Sequence, residues 1–192
     1  MKLLIRVIIA SLILGITSWV IIQLPSVQDR LIVVAFTALG SASNNLPKED
    51  ALSAAVCGSR SPLPSPGRAE TCILISAGED LFVVDIGDGS NDNLRSWNIN
   101  FRNIEAVLIT HLHSDHIADL PGLHQNAWVI GERSSKLKVF GPEGIDQFTQ
   151  GIEMAYAHDY VFRNEHHGDA VAPLEFAGFD TSVIDLNNPC LL

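Results

Sequence analysis

Within six residues, His111-Leu112-His113-Ser114-Asp115-His116 sets out three imidazoles and a carboxylate. Neutral imidazole nitrogens and carboxylate oxygens are the donor set of a catalytic zinc or a similar divalent ion. The apolar run 105–110 (EAVLIT) leads straight into them and reads as a buried strand. Side chains alternate along an extended chain, so His111 and His113 point to the same side at that strand's end. If the chain then turns, Asp115 and His116 face a neighbouring position. The end of a strand opening into a loop is also where α/β sheets place their ligands. A histidine-rich surface loop would need no such strand behind it.

Other titratable residues stand further from the cluster. Asp85 closes the apolar run 81–86 and reads as a hydrogen-bond partner for a metal-binding histidine, which would fix that ring's tautomer; the bland alternative is a turn aspartate before Gly87. His166 and His167 could line the substrate mouth or offer a substitute third ligand, but a solvated polar loop is the simpler reading. His124 and His158 fall in helix patterns and read as surface or packing residues. Asp88 reads as a turn residue and Asp119 as a helix-surface residue.

Positioning these groups requires a layered chain. Residues 51–57 read as a first strand, and 58–67 (GSRSPLPSPG) as a loop too rich in Pro and Gly for a helix or a central strand. Residues 72–76 and 81–86 form a hairpin about Ala77-Gly78-Glu79-Asp80, and 88–93 a turn that caps a helix around Leu94. After the EAVLIT strand come a helix over 117–130, a short strand at 138–140 and a helix over 143–162. Strands alternating with helices predict an α/β layered architecture. Cys57 and Cys72 sit on the first two strands. A disulfide there and two small buried thiols are equally open, and Cys190 has no partner.

The segment Thr110–His116, leaving a buried strand and entering a helix, resembles the metallo-β-lactamase superfamily signature. Gly58-Ser59-Arg60-Ser61-Pro62 is similar to the Gly-Thr-Gly-Ser-Pro loop of its ribonuclease Z and arylsulfatase-like branch. Arginine at 60 departs from that pattern, and would be strained if the position needs a positive φ. Phe82-Val83-Val84-Asp85-Ile86-Gly87 resembles the strand whose terminal aspartate lies behind the metal site.

This resemblance implies a four-layer αββα sandwich, of which the N-terminal half is present; the uncharged apolar segment ahead of it is expected to be a transmembrane helix. It implies two zinc ions, with manganese and iron left open. His111 and His113 would hold the first, and Asp115 and His116 the second, with Asp115 also taken as catalytic. It further implies hydrolysis by a metal-bound hydroxide of a sulfate ester, phosphodiester or lactone. A ribonuclease Z-like RNA-processing enzyme and a non-catalytic membrane-tethered remnant are the alternatives. The last histidine is His167, and none lies in 168–192. The family's remaining ligands are therefore expected from a missing C-terminal half, and the chain is expected to be truncated or to self-associate.

The bulk composition sets the surroundings. The 192 residues carry 12 Lys+Arg against 22 Asp+Glu, a net charge of −10. Lys2 and Arg6 precede the first apolar segment, so the remainder has 12 − 2 = 10 against 22, or −12. Since phosphate affinity rests on Lys and Arg, the expected partner is a small ester-type molecule rather than nucleic acid. Residues 7–28 contain no charge and as a helix would reach about 33 Å, enough to cross a bilayer. The stretch is longer than the apolar region of a cleaved signal peptide, which favours an anchor. The Lys2/Arg6 bias then puts the remainder on the exported, periplasmic or extracellular side. The expected layout is an anchor at 1–28, a link at 29–50 containing a short apolar run at 31–40, and a partial hydrolase domain at 51–192.

Overall fold

The computed structural model describes residues 2–28, 30–31, 34, 51–63 and 65–185. Helix α1 (Lys2–Ile22) is a continuous apolar rod. Its window Ile5–Ile22 has a mean hydropathy of 2.3, and none of it is buried against the rest of the protein. By length and composition it could cross a membrane, and a signal sequence would pass the same test. Apart from Leu31 and Val34, the apolar run 31–40 lies outside the described residues. So do the link 41–50 and Cys190.

The described residues of the domain form one mixed sheet of strands β1 (Leu52–Gly58), β2 (Cys72–Ala77), β3 (Asp80–Val84), β4 (Ile104–Leu108), β5 (Leu137–Gly141) and β6 (Phe179–Val183), ordered as in sequence. β1–β2 and β2–β3 pair antiparallel, while β3–β4, β4–β5 and β5–β6 pair parallel. The switch has a simple cause. Gly78 (φ 65°) and Glu79 turn β2 back into β3, a two-residue hairpin. β3 is followed by helix α2 (Ser90–Ser96), and β4 and β5 by further helical segments, which parallel connections require.

One face of the sheet is the core: Leu74, Leu81, Val83, Ile104, Val107, Leu137 and Val139 are buried there with Leu94, Leu120, Leu123 and Ile145 from the helices. The opposite face is apolar but thinly covered. Leu52 and Val56 on β1 keep 78% and 63% of their surface exposed, and Ile73 on β2 keeps 39%. The register sets Val56 against Ile73 and Ile73 against Val84, so these side chains share that face.

Of the two readings of Cys57 and Cys72, the structure has the disulfide. Their Cα atoms are 5.0 Å apart and the bond closes a loop with a sequence separation of 15. A link across such a loop stabilises by about 3 kcal/mol through the entropy it removes from the unfolded chain. Arg60 escapes the expected strain, because the only described non-glycine residues at positive φ are Asp85, Asn98 and Glu132. Its guanidinium instead bridges Glu70 (3.1 Å) and Asp88 (3.3 Å).

Two helices differ from expectation. The helix read over 117–130 is three pieces: α3 (Ser114–Ile117), α4 (Leu120–Gln125) and a wider turn at Asn126–Ile130. Pro121 sits in the first turn of α4, where its missing N–H costs nothing, so the helix restarts there instead of running through. Asp119 occupies the joint rather than a helix surface and accepts the Asn91 N–H at 3.1 Å. Burial raises its carboxyl above the usual range.

The last helix, α5 (Ile145–His167), runs five residues beyond the expected end at Phe162 and stops at Gly168, whose φ is 76°. The polar composition of 163–167 hid this extension, since an exposed last turn needs no apolar residue. His166 and His167 therefore lie on a helix, not in a loop.

A second core cluster joins Trp128, Val129, Tyr160, Val171 and Ala172. His124 packs among these rings and against Phe179, with only 1% of its surface exposed. Its Nε2 accepts the Gly178 N–H at 2.8 Å. Burial pushes its imidazole down to about 4, and the positive charges of Arg133 and Lys136 act in the same direction. Burial likewise raises the Tyr160 hydroxyl.

Candidate metal centre

Parallel pairing puts the C-terminal ends of β3 and β4 side by side. Asp85 leaves β3 there and Thr110–His116 leaves β4, with the Asp85 N–H donating to the Leu108 carbonyl at 2.9 Å. Asp85 is 3% exposed and has a left-handed backbone, φ 57°. That conformation is costly for a residue with a Cβ, and persists where the surroundings fix it. What fixes it is visible. Asp85 Oδ1 accepts the Thr110 N–H at 2.8 Å, and Oδ2 accepts the Thr110 hydroxyl at 2.8 Å. The same Oδ2 lies 2.8 Å from His116 Nδ1.

The motif itself bends sharply. His113 is extended (ψ 148°) and heads α3, so Ser114, Asp115 and His116 begin a helical turn. The His116 carbonyl accepts the Ile86 N–H at 2.8 Å, tying that turn to the segment after β3. Gly87 fits because it has no side chain: a Cβ there would stand 2.1 Å from the Asp115 carbonyl oxygen. Glycine is sterically required at this contact.

The histidines and Asp115 converge in pairs. His111 Nε2 and His113 Nδ1 are 3.1 Å apart, and His116 Nε2 and Asp115 Oδ2 are 3.5 Å apart. The His111 and His116 rings sit with centroids 3.9 Å apart, so the two pairs adjoin. Two ligands on one tetrahedral zinc, each at about 2.0–2.1 Å, stand about 3.3–3.4 Å from each other. Each pair therefore has the spacing of one edge of a coordination shell. Among the described residues, no group of three or more His, Cys, Asp or Glu side chains is arranged to hold a metal ion. The donor chemistry and the orientation of His116 fit a metal; the number of donors per ion is two.

His166 and His167 are not brought to this cluster. The first turn of α5 is beside the motif, since a Cβ on Gly144 would be 3.1 Å from Leu112 Cδ1. The 23-residue helix carries its last turn about 33 Å along its axis from that first turn. His158 is exposed on the same helix, and Asp88 is an exposed turn residue. Thr110 is the functional residue that sequence reasoning left without a role, although its place immediately ahead of His111 was visible. It lies just beyond the end of β4, beside the segment that leaves β3.

Ribonuclease Z from Mycobacterium bovis is 36% identical over 118 residues, covering 60% of this chain and 42% of the relative. The Mycobacterium marinum ribonuclease Z matches at the same identity and coverage. The chain thus spans less than half the length of these relatives. Among solved structures, the metallo-β-lactamase fold protein YhfI from Bacillus subtilis superposes with a TM-score of 0.53 at 20% identity, over 73% of this chain and 48% of that one. A long form RNase Z from yeast gives 0.52 at 16%, over 64% and 19%.

These relatives overturn one expectation. The acidic balance argued for a small-molecule substrate and against nucleic acid, yet the matched enzymes are by name ribonucleases. Net charge reports the average surface, whereas a phosphodiester is engaged by the groups of one cleft. The profile of the Metallo-beta-lactamase superfamily matches residues 65–182, more than half of the chain, and the chain belongs to that superfamily.

Proposed function

We propose that this chain provides the metal-binding half of a zinc-dependent phosphodiester hydrolase acting on RNA. The ribonuclease Z relatives favour a phosphodiester over a sulfate ester or a lactone. The observation that carries the metal centre is the buried Asp85 carboxylate, whose Oδ2 is 2.8 Å from His116 Nδ1. A carboxylate accepts only, so His116 Nδ1 carries the proton and Nε2 presents its lone pair outward, as a metal ligand must.

His111 and His113 would hold one zinc, and Asp115 and His116 the other. Bound zinc supplies Lewis acidity, which brings the pKa of water from 15.7 to about 7. Asp115, 5% exposed beside His116 Nε2, is assigned the further role of accepting a proton from the attacking water at its carboxylate. Asp85 holds His116 in one tautomer throughout.

The test is a panel of bis(p-nitrophenyl) phosphate, a short single-stranded RNA, a sulfate ester and a lactone, offered to the zinc-loaded chain combined with a fragment supplying the remaining part of a ribonuclease Z relative. Turnover of the phosphodiesters alone is expected, and lost on His111→Ala. Turnover confined to the sulfate ester or the lactone would refute the assignment.

For the layout we propose an anchor at 1–28, a link at 29–50 and the hydrolase portion at 51–192, with that portion exported. Lys2 and Arg6 ahead of the uncharged helix support the orientation, as does a disulfide at Cys57–Cys72, since such bonds persist in oxidising compartments. An alkaline phosphatase fused after Asn45 should be active and a green fluorescent protein fused there dark. The reverse pattern would put the RNA-cleaving portion in the cytoplasm.

A further inference from the structure

We infer that Thr110 is a positioning residue: its hydroxyl hands the Asp85 hydrogen bond on to His111, so that one buried carboxylate orients a ligand of each metal. The inference rests on the metal-hydrolase assignment above and extends it to a residue outside the donor set.

Asp85 Oδ2 receives two contacts at 2.8 Å, from the Thr110 hydroxyl and from His116 Nδ1. An ionised carboxylate has no proton to give, so both partners donate. Thr110 has a single hydroxyl proton, and it is spent on Asp85. Towards His111 Nδ1, 3.0 Å away, Oγ1 can therefore only accept. His111 Nδ1 must carry its proton, which leaves Nε2 with the lone pair. That Nε2 is the atom 3.1 Å from His113 Nδ1, on the edge where a shared ion would sit.

The alternative tautomer would set the His111 Nδ1 lone pair against the Oγ1 lone pairs, a repulsive contact relieved only by turning the ring away. His116 is fixed directly and His111 through Thr110, and the Thr110 N–H bond to Oδ1 holds the carboxylate flat against both. Asp85 has a left-handed backbone, and its carboxylate meets Thr110 just beyond β4. The strain at that residue is thereby tied to the two ligands it serves.

The measurement is made on the full chain in nanodiscs, without metal, by nitrogen-15 correlation spectra of the imidazoles at about pH 8, where an ordinary histidine is neutral. Zinc affinity follows by competition with a chromophoric chelator. In the unaltered chain, His111 and His116 are both expected as Nδ1–H tautomers. Thr110→Val keeps the shape and removes the hydroxyl. It should convert His111 largely to the Nε2–H form, leave His116 unchanged as an internal control of folding, and weaken zinc binding 10-fold or more, on the order of other lost ligand supports. Thr110→Ser should behave like the unaltered chain, and Asp85→Asn should disturb both histidines.

An unchanged His111 in Thr110→Val would overturn the proposal, as would a Thr110→Ser chain that behaves like the valine variant. If the tautomers shift as stated while no version of the chain takes up zinc, alone or combined with a fragment supplying the remaining part of a ribonuclease Z relative, the relay stands and the metal-hydrolase assignment fails.

Discussion

Zinc content and phosphodiesterase activity should rise together when this chain is combined with a fragment supplying the remaining part of a ribonuclease Z relative. In the described residues each candidate ion has two donors, His111 with His113 and Asp115 with His116, and no group of three. A catalytic zinc normally has three protein ligands beside its water. Two-donor sites hold metal loosely, so the unaided chain is expected to be a poor catalyst. The matched ribonuclease Z enzymes extend well beyond the part this chain covers, at 42% of their length. The apolar sheet face with Leu52, Val56 and Ile73 offers a surface on which such a fragment could pack, and exposed apolar area of this kind otherwise favours self-association. Zinc per chain should approach two, and hydrolysis of bis(p-nitrophenyl) phosphate should increase by a factor of 100 or more, on the order of 3 kcal/mol of transition-state stabilisation. His111→Ala or Asp115→Ala should then remove the gain, whereas in the unaided chain either change should alter little. Strong zinc-dependent turnover by the unaided chain, abolished by His111→Ala, would show that its own residues complete the centre.

The motif was legible because two local signals coincide on it. An apolar strand ends where the donors begin, and the alternation of an extended chain sets His111 and His113 together before any tertiary contact is known. The hairpin from Cys72 to Val84 was equally plain, since its turn carries a glycine between β-branched runs. What could not be read was the pairing of β3 with β4, because parallel neighbours are chosen by long-range packing. That pairing sets Asp85 beside Thr110, and it turns an unremarked threonine into part of the site.

Charge misled in the other direction. Counting Lys and Arg over a whole chain says how it repels phosphate at a distance, and nothing about the few donors that meet one phosphodiester. Helix lengths were misjudged for a related reason. The 163–167 stretch is polar because the last turn of α5 faces solvent, and Pro121 marks a helix start as readily as a loop. Periodicity registers only the buried side of an element.

Acid should destabilise the domain through His124, between about pH 6.5 and pH 4. Nothing in the spacing of residues 117–130 distinguishes this histidine from a surface one; the structure shows it 1% exposed beneath Trp128, Tyr160 and Phe179. Its imidazole is lowered from 6.5 to about 4, chiefly by burial. In that window the unfolded chain binds a proton that the folded one refuses, so stability falls as pH falls. The contribution is complete above the unfolded value near 6.5 and is lost on passing below the folded value near 4. A difference of this size corresponds to about 3 kcal/mol. The chemistry has a specific target: His124 Nε2 accepts the Gly178 N–H that leads into β6, and a proton on Nε2 removes that acceptor. His124→Gln supplies an amide oxygen near the same place and cannot titrate. It should be less stable at neutral pH through lost ring packing, yet flatter in its response to acid. Urea unfolding of both chains at half-unit steps from pH 7 to pH 4 gives the two curves. Their difference isolates His124 from the other six histidines, which are common to both. If the two curves run parallel across that range, the buried imidazole is not the group that acid attacks.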